Sequence, residues 1–131
     1  MSLGVIVIGY NRPEKIGRLL ESLKNYTDYF GEILICLDYH SEEARKKHIL
    51  ELSPYREDNK YTFHYHTKNL GLKENLFTAY DYLKCRHEFL MFLEDDLEIK
   101  PNLDKYLVTV LAKLSSNQIS SASLYSYPDK Q

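Results

Sequence analysis

Short apolar segments alternate with amphipathic segments along almost all of this 131-residue chain, and this alternation restricts the possible folds more than any other feature. The first apolar run, residues 4–9, is continuous and rich in β-branched residues, as expected for a strand that is covered on both faces. Residues 61–66 instead alternate aromatic residues with threonine and histidine, which predicts a strand with one buried and one solvated face. Residues 32–37 and residues 89–93 are predicted to be buried strands, and the serine-containing residues 119–125 are predicted to form a further strand.

Segments with a helical period separate the predicted strands. The first begins at Pro13 and places apolar residues at positions i, i+3, i+4 and i+7 from Ile16. In the second, Ser41 can cap a weaker helix that continues to about Leu52. One stripe of the third helix contains Leu72, Leu76, Ala79, Tyr80 and Leu83, and one stripe of the fourth contains Leu103, Leu107, Val110, Leu111 and Leu114.

This order of elements predicts right-handed βαβ units and a mainly parallel sheet flanked by helices, in a single α/β domain over residues 1–131. The formal net charge of −2 gives no electrostatic reason to expect a nucleic-acid partner. No apolar run approaches the roughly 18 residues that cross a bilayer, so we expect no transmembrane segment. Cys36 and Cys85 lie in apolar surroundings without paired spacing. We expect both to be reduced, which favours a cytoplasmic location.

Polar residues follow the predicted strands at the points where the strands end. In an open parallel sheet, ligands bind outside the carboxyl ends of the strands, so these residues are the candidates for a site. Those after the first three strands are Tyr10, Asn11, Arg12, Asp38, Lys68 and Asn69. Glu94, Asp95 and Asp96 follow the fourth strand. The pattern predicts that an aromatic ring, a cation and several carboxylates meet at one edge of the sheet.

The three consecutive acids after the fourth strand need a physical explanation, because like charges at this distance repel one another. A bound Mg²⁺ or Mn²⁺ supplies one, since these ions prefer oxygen ligands and commonly use one or two carboxylates together with substrate phosphates and water. A solvated acidic turn that caps the next helix is the alternative. The position of the acids at a strand end favours the metal.

Three segments resemble the glycosyltransferases of the GT-A fold. Residues 7–13 look like their opening strand and loop, and residues 69–75 look like the loop and helix before their metal-binding strand. Residues 92–98, followed by Pro101, look like the acidic metal motif that is usually written D-x-D. The Glu-Asp-Asp form resembles the animal N-acetylglucosaminyltransferases that act on N-glycan mannose. The resemblance implies a three-layer, Rossmann-like nucleotide-binding domain.

The resemblance also implies roles for the residues that follow the first two strands. Tyr10 would pack on a uracil ring, and Asn11 and Arg12 would shape the loop around it. Asp38 would accept a hydrogen bond from the base. The donor would therefore be a nucleoside-diphosphate sugar, and UDP is the nucleotide that the resemblance favours.

The remaining roles concern the ribose, the diphosphate and the metal. By the same resemblance, Asn69 and Lys73 would approach the base, the ribose or the diphosphate. Asp95 would lie near the ribose or the sugar, with Glu94 assisting from behind. Asp96, the last acid of the motif, would coordinate the Mn²⁺ or Mg²⁺ ion that bridges the diphosphate.

The activity implied is transfer of a hexosyl or N-acetylhexosaminyl group to a hydroxyl of a glycan, lipid or protein acceptor. Transfer also needs a general base. In inverting relatives this base is a carboxylate well downstream of the metal motif, so we expect the chain to be a fragment without the acceptor-binding half. A domain that binds a nucleotide sugar without transferring it is the alternative from a different functional class.

Several of these residues also have simpler interpretations. Tyr10 could pack at a turn, Asp38 could cap the following helix, and Lys73 could be a solvated surface charge. His64 and His66 share one strand face, but no nearby cysteine or acid in the sequence completes a metal site, so we interpret them as surface histidines.

Two other enzyme or signalling classes fit the sequence less well. A sugar nucleotidyltransferase would carry a glycine-rich basic loop after its first strand, where this chain has residues 9–13, Gly-Tyr-Asn-Arg-Pro. A phosphoacceptor receiver domain would carry acids at that position, which Gly9 and Tyr10 occupy here.

Overall fold

The computed structural model describes residues 2–117, and its central element is a sheet of parallel strands in the order β3-β2-β1-β4. The parallel sheet with helices between its strands confirms the predicted α/β fold. The predicted strand at residues 119–125 lies outside the described residues. The elements are β1 (Leu3–Gly9), α1 (Pro13–Leu23), β2 (Glu32–Leu37), α2 (Glu42–Glu51), β3 (Tyr61–Tyr65), α3 (Leu72–Leu83), β4 (Phe89–Glu94) and α4 (Leu103–Ser115).

The described residues divide into two compact units, one ending at Ile99 and one beginning at Lys100. The first unit contains the sheet, and the described part of the second contains α4. In α4, Leu107 is buried and the other four residues of the predicted stripe are half-buried, as expected for an amphipathic helix. No helix among the described residues has the length and apolar character needed to cross a bilayer.

The chain changes direction within the sheet at β1. The crossovers from β1 to β2 and from β2 to β3 run one way, and the crossover from β3 to β4 returns past β1. Because such crossovers are right-handed, α1 and α2 lie on one face of the sheet and α3 lies on the other. Strand order therefore reverses between β1 and β4, which is where a ligand crevice forms in open α/β sheets.

The central strands and the helix stripes form the core as predicted. Every residue of β1 and β2 is buried, because each strand has a neighbour on both sides and a helix layer on both faces. The buried residues of α1 are Pro13 and the four apolar positions expected from the sequence. On the opposite face, Ala79 and Leu83 of α3 pack in one cluster with residues of β1 and β2: Ile6, Ile8, Leu34 and Cys36.

The buried face of α3 differs from the predicted stripe. Leu72 is 62% exposed and Tyr80 is also exposed, whereas Asn75 is fully buried. The amide of Asn75 explains the difference, since Nδ2 donates to the Cys36 carbonyl oxygen at 3.2 Å and Oδ1 lies 3.0 Å from His66 Nε2. A polar side chain that bonds to two strand ends is buried in place of a leucine.

The outer strands of the described sheet are less buried than the sequence predicts. Buried and exposed residues alternate at the end of β4, and Phe92 is 46% exposed. In β3, Tyr61 is buried and the other four residues are half-buried, so the expected contrast between its two faces is not observed. Among the described residues, each of these strands pairs with one neighbouring strand. Its second edge is therefore not covered by another described strand, as both edges of β1 and β2 are.

An ion-paired cluster joins the amino ends of the strands. Glu32 accepts hydrogen bonds from Arg86 Nε and His87 Nε2, each at 2.8 Å. The His87 ring lies close to two glycines, and a Cβ atom on Gly31 would stand 2.5 Å from the ring and one on Gly4 would stand 2.8 Å from it. Burial acts to raise the pKa of Glu32, but the hydrogen bonds from His87 and Arg86 outweigh it and hold the pKa below its ordinary value of 4.5.

The Glu32 cluster predicts a specific loss of stability in acid. A carboxyl group whose pKa is lower in the folded state stabilises the fold above its unfolded pKa, and this contribution is lost as pH falls through the folded pKa. We expect Glu32→Gln to lower the free energy of unfolding at pH 7 by about 1–3 kcal/mol. The difference from wild type should shrink below pH 4.5, the ordinary pKa of this group, in urea titrations. Glu88→Gln, at an exposed neighbouring carboxylate, is the control. A difference that stays constant with pH would contradict the assignment.

Candidate functional site

A cleft of about 310 Å³ lies at the carboxyl edge of the sheet, where the strand order reverses. Six of the residues singled out from the sequence line it, so the predicted convergence at this edge occurs in the structure. They are Tyr10, Arg12, Asp38, Asn69, Glu94 and Asp95. The other lining residues are Ile8, Gly9, Gly71, Leu72 and Asn75.

Asp38 ties the loop before α3 to the end of β2. Its side chain is buried, and it accepts backbone N–H bonds from Leu70 at 2.7 Å and Gly71 at 2.9 Å, through different oxygens. The Tyr39 N–H adds a third bond at 2.9 Å. Gly71 has φ +82°, a left-handed conformation that favours glycine. Asp38 does not cap α2, because Ser41 Oγ accepts the Ala44 N–H at that helix end.

A second hydrogen bond links the same two loops. Asn69 Nδ2 donates to the Tyr39 carbonyl oxygen at 3.0 Å, and this bond is exposed, whereas the Asp38 carboxylate is buried. The bonds of Asp38 and of Asn69 together fix the rim of the cleft between β2 and α3, at its buried side and at its exposed side. Asn69 is therefore a structural residue of the loop as well as a cleft residue.

Arg12 and Asp95 join the loop after β1 to the end of β4. The guanidinium donates from Nη2 to Oδ1 at 2.6 Å and from Nε to Oδ2 at 3.2 Å, so the pair is bidentate. Asp95 is 4% exposed, whereas Arg12 is 45% exposed. A buried carboxylate is stable when it is paired in this way, and the pair holds the two loops together across the switch point.

The pairing leaves the cleft with an excess of negative charge. Its charged side chains are one guanidinium and the carboxylates of Asp38, Glu94 and Asp95, and the guanidinium is already bound to Asp95. A diphosphate would meet no uncompensated cation among these lining side chains. An anionic ligand would therefore have to enter this cleft together with a cation.

Tyr10 and His40 lie on adjacent loops at the rim of the cleft. Their ring centroids are 5.2 Å apart and the ring planes are inclined by 77°, an edge-to-face arrangement. Tyr10 packs against His40 at the turn and is still 41% exposed. The exposed part of the ring offers an aromatic surface to a ligand.

Four of the residues singled out from the sequence do not line the cleft, and one of them is Lys68, which is exposed on the loop before Asn69. Asn11 is exposed on the loop between Tyr10 and Arg12, and Lys73 is exposed on α3 with Nζ 5.8 Å from the ring centroid of Phe77. Asp96 is exposed in the turn after Asp95. Each of the four is next in sequence to a residue that lines the cleft, but none of them lines it.

Asn75 lines the cleft, although it was not among the site residues predicted from the sequence. The sequence contained an indication of this, because Asn75 is a polar residue four positions before Ala79, on the apolar stripe of the helix. The hydrogen bonds to Cys36 and His66 could not be anticipated, because they join three elements that are distant in the chain. Asn75 thus forms the buried floor of the cleft beneath the loop that Asp38 holds.

Two titratable groups near the site are uncharged at neutral pH. Burial lowers the pKa of His48, although Ala44, Asp95 and Glu14 act in the opposite direction, so this buried histidine adds no positive charge next to Asp95. Burial raises the pKa of the Cys36 thiol to about 12. Cys36 is therefore neither a nucleophile nor a thiolate ligand at neutral pH.

The donor set fits a metal that is bound together with a substrate. Within residues 2–117, no three His, Cys, Asp or Glu side chains are grouped closely enough to hold a metal ion by themselves. Mg²⁺ and Mn²⁺ commonly use one or two carboxylates and complete their coordination with substrate phosphates and water. Glu94 and Asp96, both exposed beside the cleft, match that mode of binding. His64 and His66, which are half-buried, belong to no such group either.

Comparison with known proteins places these features in a family context. The sequence profile of the family described as "Glycosyl transferase family 2" matches residues 4–129. Among solved structures, the chain is similar to "Crystal structure of S. aureus TarS 1-349", with a TM-score of 0.62 and 21% sequence identity. The match covers 90% of this chain and 33% of that chain, and at this identity it supports the fold alone. No curated protein sequence matches this chain significantly.

The bonds of Asp38 predict that its charge is needed to hold the loop before α3. An asparagine keeps one acceptor oxygen and points an N–H₂ group at the other backbone N–H. We expect Asp38→Asn to lower the free energy of unfolding by about 1–3 kcal/mol and to speed amide hydrogen exchange at Leu70 and Gly71. Asp58→Asn is the matched control, because Asp58 accepts a single backbone bond, from Lys60, on an exposed turn. Equal effects of the two substitutions would contradict this role.

Proposed function

The chain belongs to glycosyl transferase family 2, and from this membership we propose that its cleft binds a UDP-linked sugar for metal-dependent transfer of the sugar to an acceptor hydroxyl. The observation that carries the proposal is the composition of the cleft at the switch point. An exposed aromatic ring and a buried carboxylate lie on one side, and acidic residues follow the strand on the other side. This division matches a nucleobase at one end of the ligand and a diphosphate sugar at the other.

The proposed base-binding side consists of Tyr10 and Asp38. The exposed part of the Tyr10 ring would stack on the base. Asp38 Oδ2 accepts one backbone bond, and a carboxylate oxygen has the capacity to accept a second. Uracil has an N–H donor at position 3, whereas cytosine has an acceptor there. A buried carboxylate beside the base therefore favours UDP over CDP.

The proposed diphosphate side depends on a divalent cation. Arg12 is committed to Asp95, so the other charged side chains of the cleft would repel a diphosphate. We propose that Asp96, with Glu94 nearby, holds Mn²⁺ or Mg²⁺ together with the diphosphate. When bound, the ion stabilises the negative charge that develops on the departing nucleoside diphosphate.

The protein's own residues have separate roles in this scheme. The Asp95 carboxylate, which Arg12 holds in place, would lie near the ribose or the sugar. Glu94 would assist from the exposed side of the strand end. Asn69 and Lys73 would approach the base, ribose or diphosphate from the loop and the first turn of α3. Asn11 would shape the loop that carries Tyr10.

The proposed reaction is hexosyl or N-acetylhexosaminyl transfer to a hydroxyl of a glycan, lipid or protein. The Glu-Asp-Asp sequence supports the N-acetylglucosaminyl donor among these, by its resemblance to the transferases of N-glycan synthesis. This chain spans 33% of the TarS chain to which it is similar. We therefore propose donor binding for these residues and leave the general base unassigned.

Metal-dependent donor binding can be measured directly by calorimetry. We expect UDP to bind in the presence of Mn²⁺ and to lose at least about ten-fold in affinity with a chelator, because the carboxylates of the cleft then repel the diphosphate without compensation by a metal ion. Asp96→Ala should cause a similar loss with Mn²⁺ present. Asp28→Ala is the matched control, since Asp28 is an exposed aspartate that precedes β2, at the opposite end of that strand from the cleft.

Each outcome of this titration has a definite meaning. Equal affinity with Mn²⁺ and with chelator would exclude the proposed metal role. Metal-dependent binding that Asp96→Ala leaves unchanged would assign the metal to another residue. Metal-dependent binding of a UDP-sugar without release of UDP in the presence of acceptor hydroxyls would favour a binding module over a transferase.

The proposed base contact predicts a preference among nucleotides. We expect UDP to bind at least about ten-fold more tightly than CDP with Mn²⁺, because cytosine would leave the buried Asp38 carboxylate facing an acceptor. Both ligands carry the same ribose and diphosphate, so the comparison isolates the base. Equal affinities in calorimetric titrations would remove Asp38 from the base site and leave the metal role unaffected.

A further inference from the structure

We propose that His40 is a positioning residue for the nucleobase, because its ring holds Tyr10 in place at the rim of the cleft. The inference rests on the proposed function, in which Tyr10 stacks on the base. His40 follows β2 and lies on a different loop from Tyr10, which follows β1. The edge-to-face contact between them, with centroids 5.2 Å apart, therefore joins two loops as well as two rings.

Tyr10 depends on this contact for its orientation. Among the described residues, His40 is the aromatic ring that contacts Tyr10, and no hydrogen bond from the Tyr10 hydroxyl is present within that part of the chain. A half-exposed tyrosine without such a contact would sample several side-chain conformations. Stacking on a base would then have to restrict that freedom, which weakens binding.

His40 is itself held at both ends of its short segment. Its Nδ1 lies 3.3 Å from Ser41 Oγ, and the same Oγ accepts the Ala44 N–H at the start of α2. Because Oγ is the acceptor in the second bond, its own proton is available to donate to His40 Nδ1. On the other side, the Tyr39 carbonyl oxygen accepts the bond from Asn69.

The proposed role of His40 in ligand binding can be distinguished from a role in the stability of the fold. The His40 side chain is exposed, so its removal leaves no cavity in the core. The expected effect concerns ligands that carry a base, since the His40–Tyr10 pair lies on the base side of the cleft. Pyrophosphate, which has no base, should not sense the substitution.

A double-mutant cycle tests the inference. UDP is titrated with Mn²⁺ into wild type, His40→Ala, His40→Phe, Tyr10→Ala and the double alanine variant. We expect His40→Ala to weaken UDP binding by about three- to ten-fold, the range of an aromatic pair contact. His40→Phe should restore affinity to within about two-fold, and His40→Ala should have no further effect in the Tyr10→Ala background. Pyrophosphate binding and the unfolding midpoint should be unchanged by His40→Ala.

The alternatives are distinguishable. UDP binding by His40→Ala at wild-type affinity would overturn the inference alone. Equal losses from His40→Ala with and without Tyr10 would also overturn it, because His40 would then act independently of that ring. A wild-type chain that fails to bind UDP with Mn²⁺ would overturn the proposed function together with this inference. Tyr29→Ala, at a tyrosine that is equally exposed, is the control for loss of a surface ring.

Discussion

The buried Asp38 carboxylate organises the part of the molecule where ligands would bind. Its two oxygens accept three backbone N–H groups, and these come from the end of β2 and from the loop that enters α3. A carboxylate with this many bonds is stable in a buried position, and the same bonds keep Gly71 in its left-handed conformation. The position of α3, the location of Asn75 and the shape of the cleft rim all follow from this anchoring.

The sequence predicted the central part of the fold because its signals there are local. The continuous apolar run of β2, the proline at the start of α1 and the serine cap of α2 each depend on residues a few positions apart. The predictions were less accurate where burial depends on distant neighbours. Phe92 was expected to be buried within β4, yet one face of that strand is open among the described residues. Leu72 was expected in the core, and Asn75 takes the buried position because two strand ends supply its partners.

The candidate site was predictable in outline for a topological reason. Residues that follow parallel strands must meet at one edge of the sheet, so Tyr10, Asp38 and Asp95 could be grouped without coordinates. The pairs that form inside the group could not be derived in this way. The sequence does not indicate that Arg12 binds Asp95 or that His40 contacts Tyr10, because both depend on the path of loops between elements. The proposed metal role of Asp96 follows from the resemblance and from the charge balance of the cleft.

The bond between Arg12 and Asp95 has a consequence for the order in which the molecule assembles. Its partners are 83 residues apart, whereas the bonds of Asp38 to Leu70 and Gly71 span 32 and 33 residues. Contacts between distant parts of a chain form with a larger loss of entropy, so the base side of the cleft can order while β4 is still unpaired. During synthesis, a chain that has emerged only as far as α3 already contains every partner of Asp38. Glu94 and Asp95 reach the cleft only when β4 is paired with β1, so affinity for the proposed ligand would report that the fourth strand has docked.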